Sequence, residues 1–155
     1  MDVPVTSPQI PGPNKTIAKI EMSRIPIFGT PYKLGSILVD RKDKESRRNS
    51  YMQMKATLEM GLHMCIYPEG TRNKTTAPLK EFHDGAFKLA VDTQKEIIPA
   101  LLFGTRNILP NNKSFYLVPG MIEFHFLAPI PAGNDAEALK IKVYETMKDH
   151  IMANA

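Results

Sequence analysis

The length, composition and charge of the chain exclude several classes of protein. Its 155 residues, 43% hydrophobic and 23% charged, suit one globular domain with a hydrophobic core. A single cysteine excludes an intramolecular disulfide framework and disfavours a cysteine-based zinc site, and no apolar run approaches the roughly 20 residues of a membrane span. The net charge of +4 favours an anionic partner, either nucleic acid, a membrane surface or a phosphorylated substrate.

The first sixty residues contain regular elements after a proline-rich start. Their pattern predicts an irregular segment, a strand, a short interrupted helix and a second strand, at residues 1–14, 15–22, 24–33 and 36–39. A mixed charge run at 41–48 then leads into a helix. Tyr51, Met54 and Leu58 share one face of this helix, and Gly61 marks its predicted end.

The rest of the chain continues the alternation of strands and helices. Strands are predicted at residues 64–67, 97–103, 115–118 and 121–127, with a helix at 85–94. The run 97–103 is continuously apolar, which is typical of a central strand buried on both faces. Ile122, Phe124 and Phe126 alternate and are predicted to point inward, and Cys65 is predicted to lie in the core.

The last helix has the clearest pattern. Its apolar residues recur every four positions, at Leu139, Val143, Met147 and Ile151. Either Asn134 or Asp135 can cap its beginning. Strands and helices that alternate in this way predict an α/β fold, with one layered domain over residues 1–155 and a mostly parallel central sheet flanked by helices.

Polar residues follow the strand predicted at 64–67. Gly70 lets the backbone turn or approach a ligand, and Arg72 can donate two parallel hydrogen bonds to a phosphate or carboxylate. Glu69 can either accept from a ligand hydroxyl or hold Arg72 in place. The alternative is a structural turn that contains only a Glu-Arg pair. Ligands of parallel sheets bind at the carboxyl ends of strands, where Arg41, Glu69 and Arg72 are expected.

The sequence Tyr-Pro-Glu-Gly-Thr-Arg at 67–72 resembles the third signature block of the 1-acylglycerol-3-phosphate acyltransferase family. Residues 35–41 are similar to the second block of that family, 82–90 to the segment after the third, and 97–101 to the fourth. The resemblance covers most of the chain and implies a glycerol-3-phosphate acyltransferase-like α/β fold. It also implies transfer of a fatty acyl group from an acyl-CoA or acyl carrier protein thioester to the free hydroxyl of lysophosphatidate. The product would be phosphatidate, and no cofactor or metal is expected.

The chemistry of the family depends on a first block that reads His, four residues, Asp. The resemblance implies that this His is the general base and that the Asp orients it. None of the four histidines has an Asp five residues later, so each is interpreted as a surface or core residue. The distance between the first and second blocks of the family, counted back from 35–41, implies that Asp2 is the Asp of the block, and the His is then expected four residues upstream of Met1. The alternative is that Asp2 is an exposed terminal acid.

The resemblance also implies a phosphate site for the acceptor. The predicted set comprises Lys19, Arg41, Glu69, Gly70, Thr71 and Arg72. Arg72 is expected to hold the phosphate, and Glu69 to fix the geometry of Arg72. The chain departs from the family at Phe82-His83-Asp84-Gly85, where Phe-Lys-x-Gly is usual, so a role for a lysine at that position is in doubt.

The expected partners are a lysophospholipid acceptor, the thioester donor and a membrane surface, with the protein peripheral at its cytoplasmic face. An acyltransferase with a different acceptor is the alternative within the same class. Two other classes stay open: a lipid-phosphate-binding module without activity, and a basic nucleic-acid-binding domain. The second is disfavoured because the aromatic residues lie mostly in predicted strands and helices, so no nucleic acid is expected.

Overall fold

The structure is a computed structural model that describes residues 6–24, 29–73, 75–108 and 119–154. The chain divides into two compact units, Met1–Pro68 and Glu69–Ala155. The strand predicted at 115–118 lies outside the described residues. The α/β fold class, with a parallel sheet and flanking helices, is confirmed, whereas the assignment of residues 1–155 to one domain stays a prediction.

The first unit contains a parallel sheet of three strands among its described residues. The strands are β1 (Asn14–Lys19), β2 (Ser36–Val39) and β3 (His63–Cys65), in the order β2-β1-β3. The α-helices of this unit are α1 (Gly29–Gly35) and α2 (Lys44–Glu59), and short 3-10 helices lie at Ser7–Gln9 and Ile20–Arg24. The strand prediction at 36–39 is confirmed. The strand predicted at 15–22 ends earlier, at Lys19, because a 3-10 turn replaces its second part.

Helix α2 begins at Lys44, inside the charge run at 41–48, and ends at Glu59, just before the predicted stop at Gly61. The carboxylate of Asp43 caps it by accepting hydrogen bonds from the backbone N–H groups of Glu45 (3.3 Å) and Ser46 (2.7 Å). Met54 is buried on the predicted apolar face. Gly61 follows the helix with φ of +81°, a left-handed conformation that glycine adopts without the steric cost of a side chain.

Strand β3 is shorter than predicted, and Cys65 is half-buried instead of lying in the core. The hydroxyl of Thr16 donates to the carbonyl of Cys65 (3.1 Å), and the hydroxyls of Thr6 and Tyr67 share a hydrogen bond of 2.6 Å. Burial raises the pKa of the Cys65 thiol, against the opposing effect of side-chain hydrogen bonds from Tyr67 and Thr6. A thiol with a raised pKa is a poor nucleophile at neutral pH.

The second unit places helices beside an antiparallel strand pair. Its elements are α3 (Gly85–Thr93), β4 (Ala100–Phe103), α4 (Thr105–Ile108), β5 (Glu123–Phe126) and α5 (Ala136–Ala153). Strand β4 pairs with β5, and an isolated bridge joins Ile97 to Ile130. The strand predicted at 97–103 therefore starts three residues late. It is not buried on both faces, because only Leu101 within it is buried and its neighbours are half-buried.

The core of the second unit is formed by side chains from α3, α5, strand β4 and the loops. Its buried members are Leu79, Phe82, Phe87, Ala90, Leu101, Ile130, Ala132, Leu139, Val143 and Met147. The predicted stripe of α5 is confirmed, and Asp135 is the residue that caps this helix, through the N–H groups of Glu137 (2.8 Å) and Ala138 (3.2 Å). The inward prediction is wrong for Phe126, which is 45% exposed.

An ion-pair network joins α3 to α5. The ammonium of Lys140, on a side chain that is 18% exposed, lies 2.8 Å from Asp84 and 2.8 Å from Glu137. The hydrogen bond from Lys140 lowers the pKa of Asp84, and the same bond raises the pKa of Lys140. A lowered carboxyl pKa contributes stability above the ordinary range of aspartate, and this contribution is lost as the pH falls through the lowered value.

Candidate functional site

The Glu-Gly-Thr-Arg motif lies in an irregular loop at the start of the second unit, between Glu69 and Lys80. Glu69 is half-buried, and its Oε2 atom accepts a hydrogen bond of 3.1 Å from the backbone N–H of Lys80. The sequence left two roles open for Glu69, contact with a ligand hydroxyl or with Arg72. The structure adds a third: the carboxylate holds the end of the loop against its beginning.

A second hydrogen bond closes the same loop. The ammonium of Lys80 donates to the hydroxyl of Thr71 at 2.8 Å. Lys80 therefore contacts the motif through both its backbone and its side chain, and its charge lies beside the residue that precedes Arg72. Lys80 was not among the site residues predicted from the sequence. The sequence contained one indication, since Lys80 lies three positions before His83, where the family usually has a lysine. Only the contact with Thr71 connects Lys80 to the motif.

Asn73 organises the middle of the loop. Its side-chain oxygen accepts hydrogen bonds from the backbone N–H and the hydroxyl of Thr75, at 2.9 Å and 2.7 Å. Its side-chain nitrogen donates to the carbonyl of Ala77 at 2.9 Å. Local bonds of this kind are typical of asparagine in turns, and here they shape the segment that joins the motif to Lys80.

Gly70 has a left-handed backbone, and Arg72 is exposed on the loop that Lys80 closes. Gly70 adopts φ of +67°, a left-handed conformation that costs other residues roughly 1–2 kcal/mol. The side chain of Arg72 is exposed. The loop therefore presents a guanidinium on a segment that its own hydrogen bonds order, with an ammonium at its far end. An arrangement of two cations can bind a phosphate monoester, which carries close to two negative charges at neutral pH.

Lys19 and Arg41 lie together in the first unit. The parallel register pairs Lys19 with Val39, so the two carboxyl ends of β1 and β2 meet at one edge of the sheet. Both basic residues line a depression of about 110 Å³, with Glu21, Asp40 and Lys42. Two acidic side chains there weaken the attraction for an anion. The role of Lys19 and Arg41 as phosphate ligands stays a prediction.

The remaining predicted residue, Asp2, lies outside the described residues. Of the four histidines, His63 and His83 are exposed, in line with the interpretation as surface residues. His125 and His150 are not lone residues, because Nδ1 of His125 and Nε2 of His150 lie 2.9 Å apart. The sequence could not show this contact, since 25 positions separate the two residues.

Two kinds of feature are absent from the described part of the chain. No helix within residues 6–24, 29–73, 75–108 and 119–154 has both the length and the apolar composition needed to cross a membrane. Among the same residues, no group of three or more His, Cys, Asp or Glu side chains is arranged to hold a metal ion.

The sequence resembles known acyltransferases over most of its length. The chain is 34% identical over 140 residues to a 1-acyl-sn-glycerol-3-phosphate acyltransferase of Cocos nucifera, a match that covers 89% of this chain and 44% of the relative. It is 30% identical over 128 residues to a protein of the same name from Chlamydomonas reinhardtii, covering 82% of this chain and 38% of that protein. The chain thus spans about two fifths of the length of these curated relatives.

A solved structure shares the fold. The crystal structure of the 1-acyl-sn-glycerophosphate acyltransferase PlsC from Thermotoga maritima matches with a TM-score of 0.69 and 22% identity. The match covers 90% of this chain and 56% of that chain. The sequence profile named Acyltransferase matches residues 1–102, which include the Glu-Gly-Thr-Arg motif. The chain belongs to the Acyltransferase family.

Proposed function

We propose that the chain binds the acceptor in a lysophosphatidate acyltransferase, which makes phosphatidate from lysophosphatidate and an acyl-CoA or acyl carrier protein thioester. Family membership supports the reaction class, and several relatives are named 1-acyl-sn-glycerol-3-phosphate acyltransferases. The observation that carries the proposal is the loop that Lys80 closes, since its backbone N–H bonds to Glu69 and its ammonium to Thr71, the residue before Arg72.

In the proposed reaction, the free hydroxyl of lysophosphatidate attacks the carbonyl carbon of the thioester. A general base accepts the hydroxyl proton, the new ester bond forms, and the thiol of the donor leaves. The loop contributes by binding the phosphate of the acceptor and so fixing the position of its hydroxyl. Positioning of this kind lowers the barrier because the reacting groups no longer need to find one another in solution.

The two cations of the loop have different parts in this proposal. Arg72 supplies a planar fork that matches two phosphate oxygens, whereas Lys80 supplies a compact point charge. Glu69 is engaged by the backbone of Lys80, so it keeps the loop closed while the cations face the phosphate. Lys80 would thereby provide the lysine charge that the family usually carries at the position of His83. The protein would work peripherally at the cytoplasmic face of a membrane, where its acceptor lies.

Substitution of Arg72 by lysine tests the fork. The variant keeps the charge but loses the paired hydrogen bonds, and bonds to charged groups are worth roughly 1.5–3 kcal/mol. We expect lysophosphatidate to bind at least about ten-fold more weakly, as measured by calorimetry below the concentration at which the lipid forms micelles. Binding of a monoacylglycerol, which has no phosphate, should not change.

Lys148→Ala is the matched control for net charge, because Lys148 is exposed on α5. The specific site would be wrong if Arg72→Lys and Lys148→Ala weakened binding equally, since that result indicates diffuse attraction. The motif would then be the structural Glu-Arg turn that the sequence left open.

Substitution of Lys80 by methionine tests the second cation. The backbone N–H that holds Glu69 is kept in this variant, so only the ammonium on Thr71 is removed. We expect binding of lysophosphatidate to weaken by roughly three- to ten-fold, and Lys80→Arg to restore most of it. Lys148→Met controls for the loss of one exposed charge. If Lys80→Met binds normally, Lys80 only closes the loop and takes no part in recognition.

A lipid-phosphate-binding module without catalysis is the second candidate. The spacing of the histidines favours this candidate, because none of the four has an Asp five residues later, as the first block of the family requires. Both candidates predict the phosphate binding above. An acyl-transfer assay of a protein that contains these residues together with a His-x4-Asp block distinguishes them. The acyltransferase would form phosphatidate, and the binding module would not.

A further inference from the structure

In the second unit, three polar side chains form a row that is separate in sequence from the loop between Glu69 and Lys80. Oε2 of Glu123 lies 3.0 Å from Nε2 of His125, and Nδ1 of His125 lies 2.9 Å from Nε2 of His150. Glu123 and His125 are two residues apart on β5, so their side chains share one face of the strand. His150 reaches the same place from α5. The residues His125 and His150 are called the imidazole pair below.

The surroundings hold the imidazole pair in position. Phe103 lies opposite Glu123 in the strand pairing, on the same face. Its ring centroid is 4.8 Å from that of His125 and 6.2 Å from that of His150. The side chain of His125 is 28% exposed, whereas that of Glu123 is 59% exposed. The pair is thus partly shielded on the side of Phe103, and small ions can still reach it from solvent.

The carboxylate determines which nitrogen of His125 carries its proton. An ionised carboxylate only accepts hydrogen bonds, so Nε2 of His125 must donate to Glu123. In the neutral ring Nδ1 then has a free lone pair, and this lone pair faces Nε2 of His150. When both rings are neutral, one proton, carried by His150, therefore lies between the two nitrogens. A metal ion can take its place once His150 exchanges with solvent to the tautomer protonated at Nδ1, because each neutral ring then offers a lone pair at the facing nitrogen.

The distances fit such a replacement. Zinc binds imidazole nitrogen at about 2.0–2.1 Å, so two nitrogens of a tetrahedral site lie about 3.3 Å apart. The nitrogens here are 2.9 Å apart, and a shift of a few tenths of an ångström opens the required space. A carboxylate on the far nitrogen of a ligating histidine is the usual outer partner of a metal site, since it fixes the ring and raises its basicity. Glu123 already has this position.

We propose that His125 and His150 bind a divalent transition-metal ion of the zinc and copper class, through Nδ1 and Nε2, with Glu123 as the outer carboxylate. Water would complete the coordination, because within the described residues no third His, Cys, Asp or Glu joins the group. The ion would link strand β5 to helix α5. Imidazole ligands select such ions over calcium and magnesium, and copper should bind more tightly than zinc. The proposal does not depend on the acyltransferase function.

Copper and zinc titrations of the 155-residue chain test the site. Less than one equivalent of Cu²⁺ should give an electron paramagnetic resonance spectrum with two imidazole nitrogens, and His150→Gln should leave one nitrogen and bind at least ten-fold more weakly. His63→Gln, at an exposed histidine of the first unit, should keep both imidazole nitrogens in the spectrum.

Zn²⁺ should raise the unfolding temperature of the wild type and of His63→Gln but not of His150→Gln, and EDTA should reverse the rise.

A second measurement needs no variant. Zn²⁺ should shift the ring proton resonances of His125 and His150 in saturable, one-to-one fashion, while those of His63 and His83 stay unchanged. A single nitrogen in the wild-type spectrum, an effect of His63→Gln equal to that of His150→Gln, or shifts spread over all four histidines would overturn the proposal.

Discussion

Assayed with lysophosphatidate and acyl-CoA, the 155-residue chain is expected to turn over roughly 10²–10⁴-fold more slowly than a relative that contains a His-x4-Asp block. That range is the usual contribution of general acid-base catalysis. None of the four histidines of this sequence has an Asp five residues later, so no oriented imidazole of the family's kind is available within it. The proposed phosphate contacts of Arg72 and Lys80 supply only the binding and positioning part of the rate enhancement.

The control for this assay is binding measured on the same preparation. Lysophosphatidate that binds the folded chain without being acylated separates a missing base from a failure to fold. Turnover comparable to that of the relative would contradict the prediction and indicate a substitute base. The four single His→Gln variants would then identify it, beginning with His83, which is exposed and lies next to the ion-paired Asp84.

Replacing Phe87 by alanine is expected to destabilise the second unit by about 3–5 kcal/mol, the range of Phe→Ala changes in well-packed cores. Phe87 is 1% exposed, and its ring lies 6.1 Å from that of Phe82 in a stacked arrangement. The substitution removes apolar area from the core and leaves a cavity between α3 and its neighbours. A domain is stable by only about 5–15 kcal/mol, so the loss is a large share of the total.

Urea unfolding followed by far-UV circular dichroism measures this loss, because the chain contains no tryptophan to report on it. Ile141→Ala is the control, at a residue of α5 that is 50% exposed, and should change stability by less than about 1 kcal/mol. Phe87→Leu fills part of the space, so its loss of stability should lie between those of Phe87→Ala and Ile141→Ala. An alanine variant as stable as Ile141→Ala would show that Phe87 is not packed as described.

Local patterns predicted the helices and several strand positions well. The four-residue repeat of α5 and the cap at Asp135 follow from the sequence because both depend on neighbours within a turn or two. The end of α2 before Gly61 also follows from the sequence, because a glycine stop depends on the adjacent residues. The strands were harder, since their burial depends on partners far away in the chain. Phe124 and Phe126 share the face of β5 opposite to His125, the residue that contacts α5, and Phe126 is 45% exposed there.

The candidate site was predictable in its motif but not in its contacts. The Glu-Gly-Thr-Arg residues were recognised from their type and order. Lys80 was missed because its contact with Thr71 depends on the path of a loop that the sequence describes only as polar. His125 and His150 were missed for the related reason that a strand and a helix bring them together. Such long-range pairs leave no trace in composition or periodicity.

The position of β1 between its two partners also bears on the order in which the first unit forms during synthesis. Strand β1 leaves the ribosome first, and it pairs with β2 and β3, which both follow it. Thr16 lies opposite Ser36 in one partner and Cys65, 49 residues later, in the other. Closing a loop costs about 0.6 kcal/mol more for each doubling of its length. The nascent chain is therefore expected to join β1 to β2 first and to keep the other edge of β1 unpaired until β3 emerges.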